Sequence, residues 1–384
     1  MASVTATAFI VHEKGGPFTE TAVRLSQLRD DEVLVDLRAT SICHTDLAVQ
    51  HGKIPMQFPV VLGHEGAGVV REVGTAVSSY KPGDHVVLSY ASCAQCRACL
   101  AKKPYQCETA TLQQFGGKRL DGSSAITHVQ DENGSWVPTD AFSTCFFGQS
   151  SFCNPAIVRE VSCVKVPETL PLEVICTLGC GFQTGAGAVF NVVRPAERNI
   201  QHVAIFGVGA VGCAAVMAAS HLRNTTGSQY HIIAIDINDE RLAIAKELGA
   251  TFTINSRSNN LLHELKAITS NGVDAAIDCT GVSEVVADMF SILSVGGVAV
   301  QVGGPPPGTK FALDVFDLLI KCQSYVGCHQ GNSYSKEFIP QMAKLYSEGT
   351  FPIEKLQKQY PVRDIGRACA EMASGKVIKP VLLW

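Results

Sequence analysis

Residues 202–222 read HVAIFGVGAVGCAAVMAASHL: five residues suited to a buried strand, a glycine turn, then an apolar stretch of helical length. The spacing Gly207-x-Gly209-x-x-Gly212 falls at that junction. It joins a strand to a helix so tightly that the helix must pack back on the strand's own sheet. The same alternation continues downstream. HIIAIDI, ATFTINS, AAIDCTG and VGGVAVQVG supply strand segments, separated by helical ones such as NDERLAIAKELGA. Strands alternating with helices predict a parallel, doubly wound α/β sheet that begins near residue 182.

The chain is 384 residues long, enough for two domains with separate cores. Its first 90 residues have a different rhythm. DEVLVDLRA (31–39), GAGVVREVG (66–74) and DHVVLSYA (84–91) mix alternation with short apolar runs, and Lys81-Pro82-Gly83 marks a turn. This part reads as β-rich. The polar stretch 112–140, with its DG and NG turns, reads as a loop or lobe excursion. After about residue 330 come a helix near 335–348 and an apolar terminal strand, PVLLW.

A formal charge of −4 gives no reason to expect nucleic acid or an anionic membrane as a partner. The N-terminal segment MASVTATAFIVHEKGG lacks a basic stretch followed by a long apolar one, so no export signal is expected. No apolar run approaches the roughly 20 residues that span a bilayer. Fifteen cysteines in such a chain read as thiols of a reducing compartment, and the cytoplasm is the expected location.

The glycine motif in its strand–turn–helix setting predicts a dinucleotide site. The turn lets backbone approach a pyrophosphate, and the helix N-terminus adds amide donors with a partial positive charge. The next strand ends in Asp236, 24 residues beyond Gly212. A carboxylate there accepts from both ribose hydroxyls and repels a 2′-phosphate, which favours NAD(H) over NADP(H). The other reading of Asp236 is a strand-end acid that caps the following helix. The interval is slightly long, and RNTTGSQ (223–229) reads as the loop extension responsible. Arg241 could sit near the same ribose and work against strict NAD preference.

Two groups of residues have metal-ligand chemistry. Cys93, Cys96, Cys99 and Cys107 form C-x2-C-x2-C-x7-C within fifteen residues. Four thiolates this close suit a tetrahedral Zn²⁺, though the ligands alone leave iron–sulfur chemistry open. A closed four-thiolate site has no free position, so its role would be structural. Cys43 in SICHTDL, His64 in VLGHEGAG and Cys180 in TLGCGFQTG form the second group. Two Cys and one His match a catalytic zinc set that leaves a fourth position open. Singly, each is more simply a buried structural side chain. The trio persuades only jointly.

Taken together, GHE, the four-cysteine lobe, GCGFxTG and GxGxxG resemble the zinc-dependent alcohol dehydrogenases of the medium-chain dehydrogenase/reductase superfamily, essentially end to end. CHTDLAVQ, LSYASCAQC and SKEFIPQMAKLYSEGTFPIEKL carry a finer resemblance to the benzyl or aryl alcohol dehydrogenase branch. The resemblance implies a β-rich GroES-like catalytic domain with a structural zinc lobe (1–181 and 330–384) and a doubly wound Rossmann NAD-binding domain (182–329). It implies two zincs per chain. Cys43, His64 and Cys180 would hold the catalytic one, with Cys180 rather than Cys176 selected by GCGF, and the four-cysteine lobe would hold the structural one. Glu65 would be the carboxylate that approaches the metal transiently, Asp46 the acid that orients His64, and Thr45 the hydroxyl that bonds the substrate oxygen and passes on its proton. Thr184 and Val211 would press on the nicotinamide.

Two positions depart from the family pattern. Ala48 stands where many members carry the histidine that completes the proton relay; His51, three residues on, reads as a surface histidine. His44 replaces an arginine often found beside the pyrophosphate, and a neutral His there would loosen NADH; tighter cofactor binding by His44→Arg is the expected result. Ser89, Tyr90, Phe146, Phe147 and Ile54 are expected to wall the substrate pocket, with small Ser89 leaving room for a ring. The expected reaction is reversible hydride transfer between NAD(H) and a primary aromatic or allylic alcohol or aldehyde, including natural-product intermediates. ETATLQQ after Cys107 lacks the arginine that glutathione-adduct formaldehyde dehydrogenases use. The alternative is a catalytically inert zinc- and nucleotide-binding protein with a structural or sensing role. A homodimer through strands of the nucleotide domain is expected, with a tetramer as the other possibility.

Overall fold

A computed structural model describes residues 4–257 and 260–384; the first three residues of the N-terminal segment lie outside the described residues. The chain forms two compact units. One runs up to Cys180 and takes in Tyr334–Lys344 and Ile353–Trp384; the other comprises Gly181–Ser333 and Leu345–Pro352.

The first unit is built on two sheets. In one, Val60–Val61, Thr5–Val11, Phe18–Leu25, Ile126–Gln130 and Trp136–Pro138 lie side by side, with Cys153–Asn154 also on Thr5–Val11. In the other the order is Cys163–Lys165, His85–Leu88, Gly66–Val73, Glu32–Ser41, Lys379–Leu383 and Gln357–Pro361, and Ala156–Arg159 pairs with Glu32–Ser41. Strand alternation explains why EVLVDLRATS sits in the middle. Val33, Val35 and Leu37 join one core with Val70, Val86 and Leu88, while Leu34 joins the other with Phe9, Leu62 and Phe152. The terminal strand Lys379–Leu383 runs antiparallel to Glu32–Ser41, Val381 opposite Ser41. The last residues of the chain therefore complete the sheet begun by the first forty.

The stretch 112–140 is more ordered than a loop excursion. The short helix Ala110–Phe115 enters it, and Ile126–Gln130 and Trp136–Pro138 form a hairpin on Phe18–Leu25, Val129 opposite Val23. Five-residue ITHVQ gives too short an alternation to stand out in sequence. A buried ion pair fastens the excursion: Arg119 Nε donates to Glu32 Oε1 at 2.6 Å and Nη2 to Oε2 at 2.7 Å.

The second unit is a six-stranded sheet, every neighbouring pair parallel, in the order Phe252–Asn255, His231–Asp236, His202–Phe206, Val273–Asp278, Leu293–Gln301, Ser324–Gly327. In chain order this is 3-2-1-4-5-6, the doubly wound arrangement whose order reverses beside its first strand. The following helix, Ala210–Thr226, ends at Gly227 in a left-handed conformation. Arg223–Thr226 of the expected loop extension are thus its last turn. Thr225 and Thr226 hydroxyls bond back to the His221 and Leu222 carbonyls, satisfying acceptors that a helix end leaves open. No single helix among the described residues is long and apolar enough to cross a membrane.

Candidate active site and metal centres

Cys43 comes two residues after the Glu32–Ser41 strand and caps the His44–Gln50 helix. His64 and Glu65 immediately precede the Gly66–Val73 strand. Cys180 follows the tight helical turn Cys176–Gly179. Ligand atoms of Cys43, His64, Glu65 and Cys180 all lie within 4.8 Å of one another. Cys176 is outside this group, its thiol pointing to the Glu173 carbonyl.

Asp46 organises the cluster. Its carboxylate accepts from the Cys43 N–H at 2.8 Å and the Gly63 N–H at 3.0 Å, and it meets His64 Nδ1 at 3.1 Å. A carboxylate on Nδ1 puts the proton there and leaves Nε2 as the free lone pair. That Nε2 is buried and has no hydrogen-bond partner. Glu65 borders the same cluster but is already engaged: Lys379 Nζ reaches its two carboxylate oxygens at 2.7 and 2.6 Å, and the Ser41 hydroxyl donates to Oε2. The cation donors are therefore two sulfurs and one imidazole nitrogen, a soft set that fits Zn²⁺. The Thr45 hydroxyl stands 3.6 Å from the Cys43 sulfur.

Charges are arranged to match. A hydrogen bond from Cys180 holds the Cys43 thiol well below its usual range, helped by His64 against the opposing effect of burial. Giving that hydrogen bond, together with burial, pushes Cys180 well above its own. Burial raises Glu65 despite Lys379. Burial also works against the Lys379 ammonium, but Glu65 and Cys43 outweigh it and raise that group.

Phe147 stacks on the His64 ring at 4.5 Å, and Phe146 meets it edge-on at 5.2 Å. Ser89 and Tyr90, expected on the pocket wall, are both buried. Ser89 is 1% exposed, and its hydroxyl is tied to the Gly179 carbonyl at 2.7 Å and to Ser335 Oγ at 3.0 Å. Tyr90 is buried in the core with Phe146, and burial raises its phenol. Ile54 packs on the same core, half-buried. His44 and His51 are exposed.

In the lobe, the four sulfurs of Cys93, Cys96, Cys99 and Cys107 also lie within 4.8 Å of one another. Backbone amides point at them: Cys96 N–H at the Cys93 sulfur and Cys93 N–H at the Cys107 sulfur, each at 3.3 Å. Backbone donors from Cys99 and Glu108 hold the Cys96 thiol below its usual range. This is a closed four-sulfur set.

The glycine turn of the second unit shows why two of its glycines are needed. Gly207 has φ +79°, and a Cβ on Gly212 would stand 2.0 Å from the Gly207 carbonyl oxygen. A Cβ on Gly209 would meet nothing within 4 Å, leaving that side open for a ligand. Asp236 accepts from the Val208 N–H at 2.8 Å and from the Ile237 and Asn238 amides at 2.8 and 3.0 Å. It fixes the turn, while Asn238 caps the next helix. Arg241, in that helix's first turn, has a buried Nε without a partner. The Gly181–Gly187 helix packs so closely on Ala210–Thr226 that a Cβ on Gly185 would stand 1.9 Å from the Val211 carbonyl, which brings Thr184 and Val211 to one helix junction.

Residues 29–168 match the family described as alcohol dehydrogenase GroES-like domain, and 210–348 that described as zinc-binding dehydrogenase. Geraniol dehydrogenase of Castellaniella defragrans is 36% identical over 383 residues, covering 99% of this chain and 98% of its own. The S-(hydroxymethyl)glutathione dehydrogenase of Paracoccus denitrificans is 32% identical, covering 98% and 99%. The chain belongs to the zinc-dependent alcohol dehydrogenases of the medium-chain dehydrogenase/reductase superfamily. Among solved structures, benzyl alcohol dehydrogenase from Acinetobacter calcoaceticus superposes with TM-score 0.90 at 36% identity, covering 99% of both chains. An alcohol dehydrogenase zinc-binding domain protein from Burkholderia ambifaria gives TM-score 0.90 at 40% identity, covering 100% of this chain and 99% of that one.

In this alcohol dehydrogenase, sequence reasoning missed Ser41 and Lys379. Lys379 is 2% exposed, and a lysine so buried needs a charge partner. Its place in the otherwise apolar terminal segment VIKPVLLW was the available signal.

Proposed function

We propose that this enzyme is an NAD(H)-dependent zinc alcohol dehydrogenase interconverting primary aromatic or allylic alcohols and their aldehydes. The observation that carries the reading is the buried, partnerless Nε2 of His64 among the thiols of Cys43 and Cys180, with Nδ1 held by Asp46. Those three residues would hold the catalytic ion, and Cys93, Cys96, Cys99 and Cys107 a structural one. When bound, zinc supplies Lewis acidity toward the substrate oxygen, and the nicotinamide exchanges the hydride. Thr45 would accept a hydrogen bond from the substrate hydroxyl and relay its proton, giving up its own toward the cofactor ribose. Phe147 and Phe146 keep water from one side of His64. Gly207, Gly209 and Gly212 admit the pyrophosphate to the helix N-terminus, and Asp236 Oδ2, which accepts only from the Val208 N–H, keeps a lone pair for a ribose hydroxyl, against which Arg241 is the counterweight. The first unit is the catalytic domain in this reading and the second the nucleotide-binding domain.

Ringed or allylic substrates are favoured by the relatives named for geraniol and benzyl alcohol. A glutathione adduct fits less well. ETATLQQ carries no arginine, and Arg119 just beyond it is committed to Glu32. Assembly as a homodimer is part of the proposal: the edge strand Ser324–Gly327 lies in the unit that also exposes Val315, Phe316, Leu319 and Ile320. Cytoplasmic residence belongs to it too, on the reducing conditions that clustered thiols need.

Metal analysis with a cofactor-coupled screen of aliphatic, benzylic and allylic alcohols, run with NAD(H) and NADP(H), tests the reading. Two zincs per chain and preferred turnover of ringed or allylic substrates with NAD(H) are expected. Nucleotide binding without turnover would point to an inert binding protein, and a preference for short aliphatic alcohols would overturn the substrate class.

A further inference from the structure

The strands Gly66–Val73 and His85–Leu88 run antiparallel with Ala67 opposite Val87. Two further pairs in that register would place Glu65 opposite Ser89, yet the ladder ends before them. At this point the buried side chain of Gln149, 1% exposed, takes the place of a strand's peptide group. Its Nε2 donates to the His64 carbonyl at 3.0 Å and to the Ser89 carbonyl at 2.9 Å, and its Oε1 accepts from the Gly66 N–H at 3.3 Å. Both amide hydrogens and the carbonyl are thus used.

The turn that delivers Gln149 is unusual. Phe147, Gly148 and Ser150 have φ of 52°, 75° and 45°, two of them residues that carry a Cβ. Ser150 fixes the turn: its hydroxyl donates to the Val61 carbonyl at 2.7 Å and accepts from the Phe146 N–H at 2.9 Å. The same turn lays Phe147 on the His64 ring. Backbone held in sparsely populated regions by its surroundings points to a site worth the strain.

Resting on the metal reading above, we propose that Gln149 is a positioning residue for the catalytic metal. Its amide clamps the His64–Gly66 segment to Ser89, keeping His64 Nε2 aimed at the ion. Ser89 extends the clamp to a second ligand. Its hydroxyl donates to the carbonyl of Gly179, the residue before Cys180, where the backbone is so close that a Cβ on Gly179 would stand 2.1 Å from the Leu88 carbonyl oxygen. One amide and one hydroxyl thereby hold two of the three ligand segments in register.

Gln149→Met keeps length and bulk but neither donates nor accepts comparably. The expected result is selective loss at one site: the catalytic ion passes to a chelator at least about tenfold more readily, while the lobe ion is held as in the wild type. In Co²⁺-substituted protein, the absorption of the two-sulfur, one-nitrogen site should shift and that of the four-sulfur site should not. Loss of kcat should exceed any rise in KM. Equal release of both ions, or unchanged affinity at both, overturns the clamp. Ser89→Ala provides the same readout if Gln149→Met does not fold; its catalytic ion should be released several-fold more readily, and an unchanged affinity overturns the proposal. Wild-type stoichiometry separates the two ideas. Fewer than two zincs per wild-type chain refutes the metal reading itself, whereas two zincs with unaltered variant affinity refutes the clamp alone.

Discussion

The lobe gathers Cys93, Cys96, Cys99 and Cys107 from fifteen consecutive residues, whereas 137 positions separate Cys43 from Cys180. In the lobe, ligands are brought together by short turns and steadied by local backbone amides. In the other cluster each ligand arrives on a different segment and is steadied by side chains from elsewhere: Asp46 on His64, Phe147 over its ring, Lys379 on Glu65. The lobe is mostly half-exposed, while His64, Glu65 and Cys180 are buried. The difference teaches where each function can live. A local, closed four-sulfur set suits stability, and a buried set with an open position and a surrounding scaffold suits chemistry.

The comparison breaks most sharply at the ligands. Cys180→Ala should lose one zinc of two and at least about 10³-fold in kcat/KM, several kcal/mol of transition-state stabilisation. Metal analysis and a coupled assay read both, and an active variant would dissolve the distinction. Cys99→Ala should instead lose the lobe zinc and lower the thermal midpoint by about 5–10 °C, as expected from a few kcal/mol of stability. Scanning calorimetry checks this, and an unchanged midpoint would deny the lobe its structural role.

Smaller changes sharpen the contrast. Lys379→Met leaves Glu65 buried without its partner and should cost about 3–5 kcal/mol in denaturant unfolding, with most of it recovered in the double variant with Glu65→Gln. No recovery would mean that lysine packing, rather than charge, is at stake. Asp46→Asn should weaken the catalytic metal about 10–100-fold and leave the lobe metal untouched, as read by chelator competition. An equal effect on both metals would sink the assignment of Asp46 to His64.

Much of the architecture was legible. The strand–glycine–helix junction at 202–222 announces a parallel sheet, because that spacing is compatible with few other packings. The alternation in 31–41 announces a buried strand. The hairpin in 126–138 was not legible, since five residues of weak alternation are outvoted by polar neighbours. Ser89 suggests room beside the metal because its side chain is small, but its hydrogen-bond partners were not legible. Its hydroxyl is spent on Gly179 and Ser335, partners 90 and 246 residues away. RNTTGSQ read as a loop because its residues are polar, but Thr225 and Thr226 close their own helix turn.

The sequence by itself determined the family, the sheet of the second unit and the local four-cysteine set, since each rests on spacing within a few tens of residues. Only the tertiary structure decided which groups surround the open site. Lys379 meets Glu65 because the terminal strand pairs with the strand just before Cys43. Gln149 meets His64 because a left-handed turn aims it there. A buried charge or amide is satisfied by whatever the fold places within about 3 Å. That neighbour is set by sheet register and strand order, which no local pattern of residue types encodes.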